Sequence, residues 1–520
     1  MRIGGDPDQM QGRARHGHGQ AFTLDVMGQQ LGRAGDGRGG HPHDRHRARL
    51  LSDELRRLAQ QILVLERWTS DVAHALRSAD GRLDTGDLRA RVLELGPGPE
   101  LTPLRSAVAA GVSGPLPDHA WAGIRFDEMS DAMLHDVGRW SEPPTSVRDA
   151  LGREQIRRHL VVLDERVKVA AAHAALVQAQ RSWRDHGASW IDRHLLDRFD
   201  SAITLHVSAE DAHAALAAEA AGLRWLLRQP DLVVLDLDPA ATADGQPTVR
   251  VATGDPDHAT HIAMLVPGTG SGVAAPSGAV RDLRAVTDAL HEIAGAAQEP
   301  VAVLELYDAP GDLAHAADES FGNHAGDGIE SWVGEARARQ TARQTARQGG
   351  AGLVDHRGVT VTLIGHSYGA FTAGRAATAG ASIDQLVALG APGMGVVDAR
   401  QLGLPAGAVF AGRATGDLIV AVADLDEFIG RFDPDAAVRQ GPLGDPLAAL
   451  GPDPMDAEFG AMPLHTDPGA GDSTRASVGH VDYLTPGTAS LRNVAIVTLG
   501  RAQTRPATAR PAAQNAPRGR

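Results

Sequence analysis

Three side chains in the last third of the sequence could together perform nucleophilic catalysis: a serine, a carboxylate and a histidine. The serine is Ser367, at the centre of Gly365-His366-Ser367-Tyr368-Gly369. Glycine two residues on either side lets a strand and a helix approach closely, while the serine itself occupies a strained turn between them. The hydroxyl is then exposed, and we interpret Ser367 as a nucleophile.

The residues around this motif favour that interpretation. Residues 359–364 read VTVTLI, which is typical of an extended strand, and small residues with many alanines follow up to Gly380, which suits a helix packed closely on a sheet. A lone G-x-S-x-G is a weak signal in a chain with 60 glycines, and a glycine-rich turn without catalytic function is the alternative. The strand before the motif and the helix after it are the context that this motif requires.

Asp417 is the candidate for the carboxylate that orients the base. In an α/β-hydrolase the acid follows the serine in the chain and precedes the histidine. Asp417 ends the segment AVFAGRATGD at 408–417, which we predict to be a strand, so its carboxylate is expected at the carboxyl edge of the sheet beside the serine. Asp424 and Asp426 are rivals, and an ordinary turn residue is the other interpretation of Asp417.

His480 is the candidate for the general base. It lies in SVGHVDYL at 477–484, before the segment NVAIVTLG at 493–500, which we predict to be the last strand. The apolar residues that follow His480, including Tyr483, are expected to anchor it next to the core. His465 is the competitor, in a stretch rich in Pro, Asp and Gly. A buried histidine with purely structural hydrogen bonds is the alternative for His480.

The segment VPGTGSG at 266–272 is the candidate for the oxyanion hole. Its glycines would let backbone N–H groups point at a substrate oxygen. One donor is expected to be the N–H of Tyr368, the residue after the nucleophile, and the other an N–H near Gly268 or Thr269. A phosphate-binding loop is the alternative interpretation, but the segment has no Gly-Lys-Ser/Thr, so we expect no nucleotide.

The elements that must position these residues form an α/β series after Pro230. We predict helices near 278–296 and up to about 348, and strands in the following segments: LVVLDLD at 232–238, TVRVATG at 248–254, HIAMLVPG at 261–268, VAVLELYD at 301–308, the strand before Ser367, and LVALGAPG at 386–393. Asp244-Gly245 joins the first two as a hairpin or paired strands. Continuous apolar strands indicate a mainly parallel sheet covered by helices on both faces. The repeat ARQTARQTARQ at 338–348 is expected to be a solvated helix face.

The residues before the sheet follow a different period. From 50 to 228 apolar residues recur at steps of three and four, as in the run Ile156, Leu160, Leu163 and Val167, which predicts an α-helical, coiled domain. Residues 229–500 are then the α/β domain. The polar segment 1–49 and the Pro- and Arg-rich segment 501–520 are expected to be disordered tails.

Composition narrows the function classes. The chain of 520 residues has a formal net charge of −15, which argues against nucleic-acid binding, and it contains no cysteine, which excludes disulfides and thiolate metal sites. No apolar run approaches the roughly 18 residues of a membrane span, and no signal peptide is apparent, so we expect a cytoplasmic protein. No metal or organic cofactor is expected.

The stretch from about 225 to 500 resembles the actinobacterial α/β-hydrolase family catalogued as a domain of unknown function, DUF1023. The segments that carry the resemblance are VATGDPDHATHIAMLVPGTGSG, YDAP, VTLIGHSYGA, LGAPGMGV, AGRATGD and GHVDYL. The resemblance implies a serine hydrolase fold with Ser367, Asp417 and His480 as its triad, and family members often carry a helical region before that fold. It implies no substrate.

Two functions follow. The first is a serine hydrolase that cleaves a small-molecule or acyl ester, or a thioester or amide, with specificity set by segments 309–330 and 431–476. The second is a non-catalytic assembly protein, in which the helical half serves self-association or a protein partner and the hydrolase fold is a docking platform.

Overall fold

The computed structural model describes most of the second half of the chain and part of the first. The described ranges are 124–129, 143–185, 209–238, 245–311, 319–347, 358–417, 450–469 and 472–501, with single positions at 29, 49, 52, 53, 56, 121, 134, 137 and 316. The tails predicted at 1–49 and 501–520 lie outside the described residues, apart from positions 29, 49 and 501, and their disorder stays a prediction.

One eight-stranded sheet organises these residues. Its strands are β1 (Val233–Asp238), β2 (Thr248–Ala252), β3 (His261–Val266), β4 (Pro300–Leu306), β5 (Thr360–His366), β6 (Gln385–Leu389), β7 (Val409–Gly412) and β8 (Met462–Pro463). Their spatial order is β1-β2-β4-β3-β5-β6-β7-β8. β2 pairs antiparallel with β1 and β4, and every other neighbouring pair is parallel. The predicted pairing of β1 with β2 and the mainly parallel sheet are confirmed.

Helices cover both faces of the sheet. They are α1 (Thr145–Asp185), α2 (Ala209–Leu227), α3 (Pro276–Ile293), α4 (Ser320–Arg347), α5 (Tyr368–Ala379) and α6 (Ala489–Thr498), with short 3₁₀ helices at Phe126–Glu128 and Ala399–Leu402. Successive residues of a strand point to opposite faces. In β3, Leu265 therefore packs in one core with Leu283 of α3, and Met264 packs in a second core with Phe371 of α5 and Trp332 of α4.

The helices before the sheet share one of these cores. Ile156 and Leu163 of α1 and Leu223 of α2 are fully buried in the same cluster as Val234 of β1 and Val251 of β2. The helical period that we predicted for this region is therefore observed in α1 and α2. The division into domains at 228 and 229 stays a prediction.

Several expectations about elements were wrong, including the strand predicted at 386–393, which ends at Leu389. NVAIVTLG at 493–500 is not a strand: residues Ala489–Thr498 form helix α6, whose first turn is capped by the Thr488 hydroxyl accepting from the N–H of Leu491. A short apolar run that is buried all round fits a strand or a buried helix equally well, so periodicity could not decide between them. β7 is shorter than predicted, since 413–417 is a loop. β8 lies within the segment 431–476, for which the sequence pattern predicts no strand.

The ARQ repeat was also wrongly expected to be solvated along its length. Arg339 and Gln340 of α4 are buried. The Arg339 guanidinium donates from Nε to Asp257 at 3.0 Å, and the Gln340 amide donates to the carbonyl oxygens of Pro256 at 2.7 Å and Ala259 at 3.0 Å. The first repeat therefore anchors α4 to the loop before β3.

Candidate active site

Ser367 occupies the turn between β5 and α5. Its φ of 54° and ψ of −127° lie outside the regions that residues with a side chain normally adopt, and among the described residues it alone, apart from glycines, has a positive φ. Such a conformation costs on the order of 1–3 kcal/mol and persists only where the surrounding structure enforces it. Strain of this kind is concentrated at functional sites, which makes Ser367 a functional candidate on geometry as well as on sequence.

The two glycines of the motif are required by close backbone contacts. A Cβ built at Gly369 would lie 2.0 Å from the carbonyl oxygen of Val266, at the end of β3. A Cβ at Gly365 would lie 2.4 Å from the Cα of Ala370 in α5. Neither distance is compatible with a side chain, so the pattern around Ser367 is explained by how tightly helix α5 approaches strands β3 and β5.

Asp417 and His480 are in contact although they lie 63 positions apart in the chain. Nδ1 of His480 lies 3.0 Å from each carboxylate oxygen of Asp417. The Asp417 side chain is fully buried, whereas 31% of the His480 side chain is exposed. Because Nδ1 faces a carboxylate, it carries the proton, and Nε2 is then the basic nitrogen of the ring.

Tyr483 supports the carboxylate and was missed as a functional residue. Its hydroxyl donates to Oδ2 of Asp417 at 2.5 Å and accepts from the N–H of Ala414 at 2.9 Å. Burial, together with this bond to Asp417, raises the pKa of Tyr483, so the hydroxyl keeps its proton and remains a donor. From the sequence, Tyr483 was interpreted only as an apolar residue that anchors His480. The signal that could have identified it was its aromatic hydroxyl, three residues after the histidine.

The end of β6 brings the serine close to this pair. The N–H of Ser367 donates to the carbonyl oxygen of Leu389 at 2.9 Å. At the next residue, Gly390, a Cβ would lie 2.6 Å from Oδ2 of Asp417 and 3.1 Å from Nδ1 of His480. The nucleophile candidate and the acid–base candidates therefore adjoin the same two residues of β6 and its following turn.

His366, beside the serine, holds the backbone of His480. Its Nε2–H donates to the carbonyl oxygen of His480 at 2.7 Å, and the two rings lie 4.9 Å apart between centroids. Burial, and next the neighbouring His480, lowers the pKa of His366 to about 4. His366 is therefore neutral near pH 7, which keeps a second positive charge away from His480.

The glycine-rich loop after β3 lies against the serine. A Cβ built at Gly268 would lie 2.8 Å from Cβ and 3.3 Å from Oγ of Ser367. Thr269, half-buried, follows it in the loop. Tyr368 begins helix α5, and its hydroxyl accepts from the N–H of Gly322 at 3.2 Å. Of the three predicted oxyanion residues, Tyr368 thus follows Ser367 in the chain and Gly268 lies against it in space, whereas Thr269 is the chain neighbour of Gly268.

The alternative candidates for the base and the acid are His465 and the pair Asp424 and Asp426. The carbonyl oxygen of His465 accepts from the side-chain amide of Asn493 at 2.7 Å, which ties this segment to α6. Asp424 and Asp426 lie outside the described residues. In the part of the chain that the structure describes, no three histidine or carboxylate side chains form a group suited to a metal ion. Within the same ranges, no helix has the length and apolar character that crossing a membrane requires.

Comparison with known proteins covers strands β2 to β7 of this sheet. Residues 242–427 match the model of a family described as alpha/beta hydrolase. The fold is that of an α/β-hydrolase. The α/β-hydrolase resemblance is thus confirmed at the level of the fold, whereas the finer assignment to DUF1023 stays a prediction.

Relatives add sequence similarity but no activity. Two uncharacterized proteins of Mycobacterium tuberculosis, MT2140 of strain CDC 1551 / Oshkosh and Rv2079 of strain ATCC 25618 / H37Rv, are each 31% identical to this chain over 293 residues. The alignment covers 52% of this chain and 40% of each relative. The chain therefore matches well under half of the length of these curated relatives.

A solved structure with some likeness is that of a highly thermostable carboxyl esterase from Bacillus coagulans in complex with glycerol. It is 16% identical, with a TM-score of 0.15, and the match covers 28% of this chain and 41% of the esterase. A TM-score this low carries no inference about this chain.

Proposed function

We propose that this protein is a serine hydrolase that cleaves a carboxylic ester through an acyl-serine intermediate, with thioesters and amides as related substrates. The observation that carries the proposal is the combination of a strained serine at a strand-to-helix turn with a histidine–carboxylate pair beside the same turn. A serine hydroxyl is a weak nucleophile until a neighbouring base removes its proton. Each group needed for that step is supplied by a different loop at one edge of the sheet.

In the proposed mechanism, Nε2 of His480 takes the proton from Oγ of Ser367 as Oγ bonds to the substrate carbonyl carbon. The imidazolium that forms is stabilised by the buried carboxylate of Asp417. The carbonyl π electrons move to the oxygen, which becomes an oxyanion. His480 then gives the proton to the leaving alkoxide as the ester C–O bond breaks, and water repeats the sequence to release the acid.

The oxyanion is proposed to be bound by two backbone donors. These are the N–H of Tyr368, at the start of α5, and an N–H at Gly268 or Thr269. The contact between Gly268 and Ser367 supports this assignment, because the loop backbone is already at van der Waals distance from the nucleophile. Donors that are fixed in advance stabilise the transition state without reorganisation.

The surface around His480 favours a substrate with an apolar group. Val478 and Val481 flank the histidine closely in the chain and are 61% and 81% exposed. An ester presents a compact polar carbonyl together with an apolar acyl or alcohol portion. We therefore propose that these valines contact the apolar portion, and that a small acyl ester is the substrate class.

The test is labelling of the full-length protein with a fluorophosphonate probe, combined with turnover of a panel of 4-nitrophenyl esters. We expect Ser367→Ala to abolish labelling and to reduce turnover by about 10³-fold or more. His480→Ala is expected to be nearly as damaging, and the double variant little worse, since the two residues act as one unit. His465→Ala is the matched control and is expected to retain wild-type turnover.

The alternative function is separated by the same measurement. Well-folded wild-type protein that neither reacts with the probe nor cleaves any ester would favour the assembly role. Loss of activity in His465→Ala, with activity retained in His480→Ala, would reassign the base.

A further inference from the structure

The loop that carries Gly268 and Thr269 packs against helix α2, which precedes the sheet in the chain. We call residues 266–276 the oxyanion loop. A Cβ built at Gly222 of α2 would lie 1.8 Å from the carbonyl oxygen and 2.9 Å from the carbonyl carbon of Val273 in this loop. Real Cβ atoms do not approach oxygen so closely. Helix backbone and loop backbone are therefore in direct contact at this point.

A second support comes from the connection between β1 and β2. The side-chain oxygen of Gln246 accepts from the N–H of Ala274 at 3.0 Å. A Cβ built at Gly272 would lie 3.1 Å from the same oxygen and 3.0 Å from the carbonyl oxygen of Tyr307, so the loop is enclosed on this side too. Gln246 thus provides the hydrogen-bond acceptor for the N–H of Ala274, which lies just before helix α3.

On its other side the oxyanion loop is fixed by the end of β4 and by the nucleophile turn. The N–H of Gly270 donates to the carbonyl oxygen of Pro310 at 2.8 Å, and the hydroxyl of Tyr307 donates to that of Pro267 at 3.0 Å. Gly268 touches Ser367, and only four residues separate Gly268 from Val273. Because this connection is short, a displacement of Val273 would also shift the backbone N–H groups of Gly268 and Thr269.

We infer that Gly222 and Gln246 are positioning residues of the oxyanion hole, and that helix α2 therefore contributes to catalysis through the loop. This inference rests on the proposed function. Oxyanion donors act only when they lie about 2.7–3.1 Å from the developing charge, so a shift on the order of 1 Å removes much of their effect. Neither residue touches the substrate, and both act by fixing the backbone of Gly268 and Thr269.

Gly222→Ala tests the helix contact, with Gly278→Ala as the matched control. Gly278 lies in α3 just after the loop, and a Cβ there would meet nothing within 4 Å. For Gly222→Ala we expect kcat on a 4-nitrophenyl ester to fall by roughly tenfold or more, with KM within about twofold of wild type. Inhibition by a phenylboronic acid, whose tetrahedral serine adduct places an oxygen in the hole, is expected to weaken by a similar factor.

Gln246→Met provides an independent variant if Gly222→Ala does not fold. Methionine has a similar shape but no comparable acceptor, so the N–H of Ala274 loses its partner. The same reduction in kcat and in boronate affinity is expected. The midpoint of the pH–rate profile is expected to stay at the wild-type value, because neither His480 nor Asp417 is altered. Gly278→Ala is expected to match wild type in each measurement.

The outcomes separate this inference from the proposed function. A wild-type protein without probe labelling or turnover would contradict the proposed function itself. An active wild type with both variants equal to Gly278→Ala would overturn the positioning role. The positioning role would also be overturned if the variants lost activity only in proportion to their unfolded fraction in thermal melts. In that case kcat per folded molecule and boronate affinity would be unchanged.

Discussion

Ser367, His366 and Tyr368 are consecutive residues with three separate tasks. The serine presents its hydroxyl from a strained turn, the tyrosine begins helix α5 and is proposed to supply an oxyanion donor, and the histidine binds the carbonyl oxygen of His480. The last contact connects the backbone of the proposed base to the residue beside the proposed nucleophile. His366, which lies between Gly365 and Ser367, therefore acts as a neutral hydrogen-bond donor to the backbone of His480.

The low pKa of His366 predicts a specific pH dependence of stability. In the folded protein the pKa is about 4, against 6.5 for the ordinary residue. Between these values the unfolded chain binds a proton that the folded chain does not, so the free energy of unfolding falls as pH decreases from 6.5 to 4. The contribution at neutral pH is on the order of 3 kcal/mol relative to acid.

Urea unfolding of wild type and His366→Gln between pH 4 and 7 measures this contribution. We expect the slope of unfolding free energy against pH to be smaller in the variant. Glu305 and Asp308, whose pKa values burial raises to about 7 and about 6, act with the opposite sign because their folded forms hold protons longer. They are present in both proteins and cancel in the difference. Parallel slopes would contradict the prediction.

At the scale of elements, the geometry of the candidate active site depends on how closely α5 approaches β3. Gly369→Ala places a Cβ 2.0 Å from the carbonyl oxygen of Val266, and that contact can only be relieved by moving the helix or the strand. We expect a loss of about 3 kcal/mol or more in unfolding free energy, since this is overpacking against backbone. Gly278→Ala serves as the control, and equal stability of the two variants by urea unfolding would refute the explanation.

At the scale of the whole molecule, the sheet and the helices before it bury a common apolar surface. Removal of residues 1–228 would expose the face that includes Val234, Val249 and Val251, each fully buried in the intact protein. An exposed apolar patch of this kind promotes association. The chain beginning at residue 229 retains the proposed triad but loses Gly222 and the rest of α2.

We expect this shortened chain to melt at a lower temperature than the full chain and to elute from size-exclusion chromatography as an associated species. Its kcat for an ester should fall as well, because the oxyanion loop loses one of its supports. A chain lacking only residues 1–49 is the matched control. If the shortened chain stayed monomeric with full-length stability and activity, the region 50–228 would be a separable domain, as its sequence pattern predicts.

The sequence by itself determined the parts of this protein that depend on short-range patterns. The strand, turn and helix around Ser367 lie within about 20 consecutive residues, and each local preference points the same way. The mainly parallel sheet followed from apolar runs alternating with helical segments. Asp417 and His480 were nominated from their order after the serine, and the structure places them in contact, although their catalytic roles remain a proposal.

Only the tertiary structure decided the contacts between distant segments. Three such contacts join residues that are far apart in the chain, and no local pattern encodes them. They are the hydrogen bond from Tyr483 to Asp417, the hydrogen bond from His366 to the carbonyl oxygen of His480, and the backbone contact of Gly222 with Val273. The conformation of 493–498 was likewise decided by its surroundings, because a fully buried apolar run has no polar face to reveal its period. Long-range packing, which a single sequence does not display, therefore completes the site that the local motif begins.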